Sequence, residues 1–204
     1  MKRYVLSLVV VGALMIAPAS ASAVTTALCS VSTGSSCPAA NTYPAGTEVK
    51  AELMPGTQAR ITEMFGLNQA VCNASSHNFT LTEHASYAQS FTTNLFSFSE
   101  CTNPIKVLNQ RGGWISWTEG VNGTFVYAPE IELFWLATNQ KCRFFIEQPV
   151  PITGGSSPTI TFKKTPLHKV PTEPETCNVQ EKGGAFFSGT YKITTPNPLY
   201  VRTL

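Results

Sequence analysis

Short stretches in which apolar and polar residues alternate recur along most of this chain. Glu48-Val49-Lys50-Ala51-Glu52-Leu53 puts Val49, Ala51 and Leu53 on one face and three charged residues on the other. Asn78-Phe79-Thr80-Leu81-Thr82 and Thr159-Ile160-Thr161-Phe162-Lys163 do the same, residues 95–98 are a further candidate, and near the end Phe187, Gly189, Tyr191 and Ile193 share a face. A period of two marks half-buried strands with one solvated side, as in antiparallel sheets. Residues 130–137 begin by alternating and then turn apolar on both faces, which places their second half in the middle of a sheet. Residues 141–146 set Cys142, Phe144 and Ile146 to one side. Past the first 23 residues no segment carries an apolar stripe of helical period and length. Residues 57–66 read either as a short helix or, over 58–62, as a strand.

The pattern predicts an all-β protein, an antiparallel β-sandwich of about ten strands. Val121-Asn122-Gly123 has turn chemistry for a hairpin between two aromatic strands. Residues 149–174 hold six of the 14 prolines, and because proline cannot donate to a ladder this region is expected to mix edge strand with loop.

The first 23 residues have a different pattern. Lys2 and Arg3 precede an apolar run that ends at Pro18, and Ala21-Ser22-Ala23 is a small-residue cleavage site, the plan of a secretory signal peptide. Residues 24–204 then form one secreted β-rich domain, extracellular or associated with the cell envelope. Both its halves follow a loose order of strand, Cys, strand, Cys, the trace that a duplication would leave. The apolar run is too short to span a bilayer, no later run approaches that length, and no transmembrane anchor is expected in the mature chain. Leu28 directly before Cys29 does not suit a lipidation signal.

In an oxidising compartment six cysteines read as three disulfides. Six cysteines allow 15 pairings, among which spacing alone does not choose; locality favours the sequential pairs Cys29–Cys37, Cys72–Cys101 and Cys142–Cys177. Loop-closure entropy assigns about 2.6 kcal/mol to the first and roughly 3.7 to each of the others. The paired C-x₂₋₄-C spacing of a zinc site is absent, and neither a metal nor a cofactor is expected.

Charge narrows the range of partners. Lys2 and Arg3 account for the whole excess of 14 basic over 12 acidic residues, so the mature chain is neutral and lacks a footprint for nucleic acid. There is no aspartate, which removes the usual calcium-loop ligands and an Asp-based triad or dyad. His77, His84 and His168 read as ordinary surface histidines.

Glu130 and Glu132, two apart on a strand, share a face. Glu130-Ile131-Glu132-Leu133 resembles the catalytic strand of jelly-roll glycoside hydrolases, E-I-D-I-x-E, although Trp135 stands where the last carboxylate belongs. Trp114 and Trp117, three apart on a strand, face opposite sides. Trp117 is expected in the core, and Trp114, with Arg111 beside it, is the expected stacking platform for a sugar or peptide. Trp135 is expected in the core.

A wider resemblance runs through Ala27-Leu28-Cys29, Cys37-Pro38-Ala39-Ala40-Asn41 and Tyr43-Pro44-Ala45-Gly46-Thr47. It continues in Phe98-Ser99-Glu100-Cys101, residues 159–167, Gly189-Thr190-Tyr191 and Pro198-Leu199-Tyr200-Val201. Together these resemble a family of secreted, cysteine-containing, β-rich actinobacterial proteins. The resemblance implies a bacterial secreted β-protein, makes glycosylation at Asn73, Asn78 or Asn122 unexpected, and implies no catalytic residue. The functional expectation is therefore a non-enzymatic module with a binding or structural role, its partner a cell-envelope or environmental glycan or a protein. A glycan hydrolase or carbohydrate-binding jelly roll using Glu130 and Glu132 is the alternative.

Overall fold

The computed structural model describes residues 25–32, 34, 36–63, 69–84, 87–110, 112–136, 139–146, 148–173, 177 and 185–204. The signal segment and Arg111 lie outside them. The described residues form β1 (Thr26–Cys29), β2 (Glu48–Leu53), β3 (Ala59–Glu63), β4 (Gln69–His84), β5 (Gln89–Cys101), β6 (Ile105–Asn109) and β7 (Gly113–Glu119). There follow β8 (Asn122–Tyr127), β9 (Glu130–Trp135), β10 (Gln140–Ile146), β11 (Val150–Thr153), β12 (Thr159–Lys169), β13 (Ala185–Thr195) and β14 (Tyr200–Thr203). The only described helix is a single 3₁₀ turn at Ala39–Asn41.

The architecture is all-β and disulfide-bonded, but it is a closed barrel with extra strands rather than the expected sandwich. β13 pairs with β12 on one side and with β2 and β3 on the other; β4, β5, β7, β8 and β11 continue the ring, and β11 returns to β12. Since β2 and β3 lie end to end between β13 and β4, the ring has eight positions. Closure leaves none of these strands with a long free edge, which two stacked sheets would each retain. β10, β9 and β6 extend from the far end of β12.

Barrels of this size are filled by side chains, and here the filling is aromatic. Phe79, Phe91, Phe96, Phe125, Tyr127, Phe187 and Tyr191 are all buried, and the Phe91 and Phe125 rings stack at 5.0 Å. The antiparallel pair β1–β14 adds Leu28 and Val201 to this core and builds a small second cluster from Ala27, Cys29 and Cys37.

The bridges are Cys29–Cys37, Cys72–Cys101 and Cys142–Cys177. They suit an oxidising, extracellular environment, and no described helix is long and apolar enough to cross a membrane.

Two expectations need correction, and one open alternative is resolved in favour of its strand reading. The β7–β8 hairpin turns at Gly120 and Val121, where Gly120 has φ +55°, and Asn122 and Gly123 already belong to β8. The ambiguous 57–66 segment forms strand β3 over Ala59–Glu63, and residues 64–66 lie outside the described set. The proline-rich stretch contains β11 and β12, which are inside the ring and not at an edge. Pro151 and Pro166 fit because the ladder on one side of each stops there, while the other side pairs with β8 and β13. β11 meets β12 only over Ile152 and Thr153, just past Pro151. Pro166 lies between the β11 pairing, which reaches Ile160, and the β10 pairing, which starts at Leu167.

Gly113 shows how tightly the ring is drawn. A Cβ there would come 2.1 Å from the Val126 carbonyl oxygen and 2.5 Å from Phe91 Cζ. Val126 O is backbone and the Phe91 ring is locked in the aromatic stack, so neither can yield freely. Gly113→Ala is expected to lose about 3 kcal/mol in urea unfolding, at the upper end of ordinary overpacking. Ser116→Ala, on the outer face of the same strand, is the control. Equal midpoints for the two variants would mean that β7 moves outward at no cost.

Candidate functional site

Glu130 and Glu132 lie on the outer side of β9, opposite the buried Ile131, Leu133 and Trp135. Neighbouring polar groups engage both. Glu130 accepts from Asn109 Nδ2 at 2.8 Å and from Arg143 Nη1 at 3.4 Å. Glu132 lies 3.9 Å from Lys141 Nζ and directly across from Lys106 on β6. Arg143 also donates Nε to Glu173 Oε1 at 2.7 Å and its backbone N–H to Glu173 Oε2 at 3.2 Å. That hydrogen bond, before any other influence, holds the guanidinium pKa above its usual value. The arrangement ties the 170–173 turn to β10. It is an ion-pair lattice on a sheet face, with the carboxylates turned to their neighbours.

The three histidines separate. His168 is half-buried and stacks on Phe145 at 5.3 Å. The side chain of His84 lies outside the described residues. His77 corrects the expectation of a surface histidine, because it is 1 % exposed. Alternation along β4 places it inward with Phe79 and Leu81. Its ring stacks on Tyr127 at 4.5 Å and packs against Phe79, Phe96 and Phe125. Its one polar neighbour with a measured contact is Thr93, whose Oγ1 is 3.4 Å from Nε2. Loss of water around the ring pushes its pKa down to about 3, so it is neutral near pH 7. Burial pushes the Tyr127 phenol up to about 12, and the nearby Thr93 hydroxyl offsets this only in part. No hydrogen bond of ordinary geometry reaches the Tyr127 oxygen.

Trp114 and Trp117 face opposite sides of β7. Trp117 packs against the core, its backbone N–H donating to Thr26 Oγ1 and its indole N–H to Gly120 O. Trp114 is 44 % exposed, flanked across the strands by Ser90 of β5 and Val126 of β8. Trp135 is buried.

What surrounds Trp114 was not singled out from the sequence. From Gln69 to Thr82, Gln89 to Ser99, Gly113 to Thr118 and Asn122 to Tyr127 there is no Lys, Arg or Glu. With His77 turned inward, the outer surface that these described residues form is free of charge, and Glu83, Glu100 and Glu119 stand at the strand ends beyond it. It presents Ser76, Asn78 and Thr80, then Ser90, Thr92, Asn94, Ser97 and Ser99, then Ser116, Thr118 and Thr124, with Leu95 also exposed. Hydroxyls and amides bond to one another across it: Asn94 Nδ2 donates to Thr80 Oγ1 at 2.8 Å, and Ser76 Oγ meets Ser97 Oγ at 2.9 Å. The charges resume on β2, where Glu48 and Lys50 pair at 3.3 Å.

No family model, curated protein or solved structure matches the chain. The face is therefore interpreted through its own chemistry.

Proposed function

We propose that this is a secreted bacterial protein, extracellular or envelope-associated, that acts without turnover by binding a neutral, hydroxyl-rich polymer, a glycan, on the outer face of β4, β5, β7 and β8. The observation that carries this reading is a 44 %-exposed Trp114 set in a sheet face whose described residues between the strand ends carry no charge. An indole offers a flat apolar plate with one polar edge, and its exposure is costly unless it meets a partner. Neutral hydroxyls and amides around it can both donate to and accept from sugar hydroxyls, whereas an anionic polymer would need cations there. Glu130 and Glu132 lie on a different set of strands and are engaged by Arg143, Asn109 and Lys141. This arrangement supports binding without hydrolysis.

The test is affinity electrophoresis and calorimetry on neutral polysaccharides such as dextran, mannan and soluble cellulose derivatives. The parent protein is expected to be retained and to release no reducing ends. Trp114→Ala is expected to weaken binding by about tenfold, as the loss of one stacked aromatic would, with an unchanged melting temperature. Equal retention of the parent and Trp114→Ala, or a preference for an anionic polysaccharide, would refute the assignment.

A further inference from the structure

β4 runs unbroken for 16 residues, but the ring position beside it is shared by two strands. Glu52 of β2 stands opposite Ser76, and Ala59 of β3 opposite Cys72. Between them Asn73, Ala74 and Ser75 have no strand partner on that side, and the chain crosses the gap as the 54–58 turn. The gap forms a recess of about 300 Å³ walled by Asn73, Ser75, Ser76, Ser97 and Ser99, with Glu52 and the apolar Leu53 and Ala74. It adjoins a second one of about 480 Å³ that also uses Asn73, with Gln58 and Arg60. These volumes lie at the lower end of the usual range for small-molecule sites.

Much of the recess wall is already oriented. Ser75 donates its hydroxyl proton to the Ser97 carbonyl at 2.7 Å, so the buried Tyr191 hydroxyl donates to Ser75 Oγ at 2.8 Å. This pair closes the floor against the barrel interior. On the rim, Arg60 donates to Gln58 Oε1, which turns the Gln58 amide N–H toward Asn73 Oδ1 at 2.9 Å. That relay fixes the flip of Asn73 and leaves its own amide N–H groups for a guest. Arg60, still charged, stands on the rim of the adjoining recess, and Glu52 is the single carboxylate of the first. Hydroxyls and amides dominate this lining, with one carboxylate and the apolar Leu53 and Ala74 beside them. It suits a compact neutral molecule with many hydroxyls.

We infer that the break between β2 and β3 is a saccharide subsite, distinct from the Trp114 platform, that takes one or two neutral sugar units. This rests on the reading of the outer face as a glycan track. Ser97 and Ser99 belong to the same outer row of β5 that leads through Leu95 and Thr92 to Ser90 beside Trp114. At about 3.3 Å per residue, roughly 23–30 Å separates the two places, so one chain can occupy both while a trisaccharide cannot.

The experiment is amide and indole NMR of the disulfide-bonded protein with three probes: cellotriose, laminaritriose and β-1,4-mannotriose. At least one is expected to shift the amide signals of Asn73, Ser76, Ser97 and Ser99. Asn73→Ala and Ser99→Val are expected to weaken that response by about tenfold with an unchanged melting temperature, while Trp114→Ala leaves it intact. Shifts confined to the Trp114 indole would overturn the subsite and leave the outer-face reading standing. Recess shifts that vanish in Trp114→Ala would show a single site and overturn the separation. Recess shifts indifferent to both Asn73→Ala and Ser99→Val would overturn the roles assigned to those side chains, and silence at both places with all three sugars would overturn both readings.

Discussion

Reducing the three bridges is expected to unfold this protein at neutral pH. Their sequence separations of 8, 29 and 35 correspond to roughly 10 kcal/mol of loop-closure entropy in total. An ordinary domain has only about 5–15 kcal/mol of net stability, so little or nothing remains once the cross-links open. Each bridge starts from a buried strand position, Cys29 of β1, Cys72 of β4 and Cys142 of β10. Cys72–Cys101 clamps the open end of the β4–β5 hairpin, next to the strand gap. Cys142–Cys177 ties Cys177 to β10. Cys29–Cys37 belongs to the small cluster under β1 and β14. Removing it alone, as Cys29→Ala with Cys37→Ala, should therefore cost about 1 kcal/mol less than removing either of the others. Tryptophan fluorescence and circular dichroism under a phosphine reductant, with thiols counted, measure the main effect. A native spectrum that persists with six titratable thiols would show that the aromatic core suffices without them.

Acid is expected to weaken the fold through His77. The unfolded histidine titrates near its ordinary value of 6.5, and the caged one near 3. Between those values the unfolded chain binds a proton that the native ring refuses, so the contribution is complete above about pH 6.5 and is lost as pH falls toward 3. The interval corresponds to about 5 kcal/mol. The cause is desolvation. Tyr127, the titratable ring stacked on His77, is neutral throughout this range and contributes no charge. Urea midpoints measured from pH 7 to pH 3 should fall steeply for the parent. His77→Phe keeps an aromatic ring in the cage and has no proton to gain, so its curve should be flatter by nearly that amount. Parallel acid limbs for the two proteins would mean that the ring reaches water in the native state.

Both effects originate in residues whose significance differs in legibility. The cysteine pairing follows from local order along the chain, because each bridge joins neighbours in sequence. The cage around His77 does not. Alternation with Phe79 and Leu81 puts it on the inner face of β4, yet a lone histidine among serines and asparagines reads as a polar surface residue. It becomes an interior group only when β5 and β8 bring Phe96, Phe125 and Tyr127 around it.

The same division runs through the rest of the molecule. Residues 48–53 alternate apolar and polar, and they form β2 within those limits. The opposite orientations of Trp114 and Trp117 follow from their spacing on a strand, since side-chain direction there has a period of two. Closure of the ring depends on β13 meeting β2 and β3 across more than 120 positions of sequence, and no local pattern encodes which edges meet. The break between β2 and β3 appears in the sequence only as Met54-Pro55-Gly56-Thr57, turn residues that promise a hairpin. Instead both strands run antiparallel to the same pair of neighbours, and the turn roofs a gap in the wall. The chain by itself determined the strands, their faces and their covalent staples, because those depend on residues within a few positions of one another. The barrel, the buried histidine, the charge-free face around Trp114 and the recess beside Asn73 were decided only in the tertiary structure, because each needs surfaces from strands far apart in the chain.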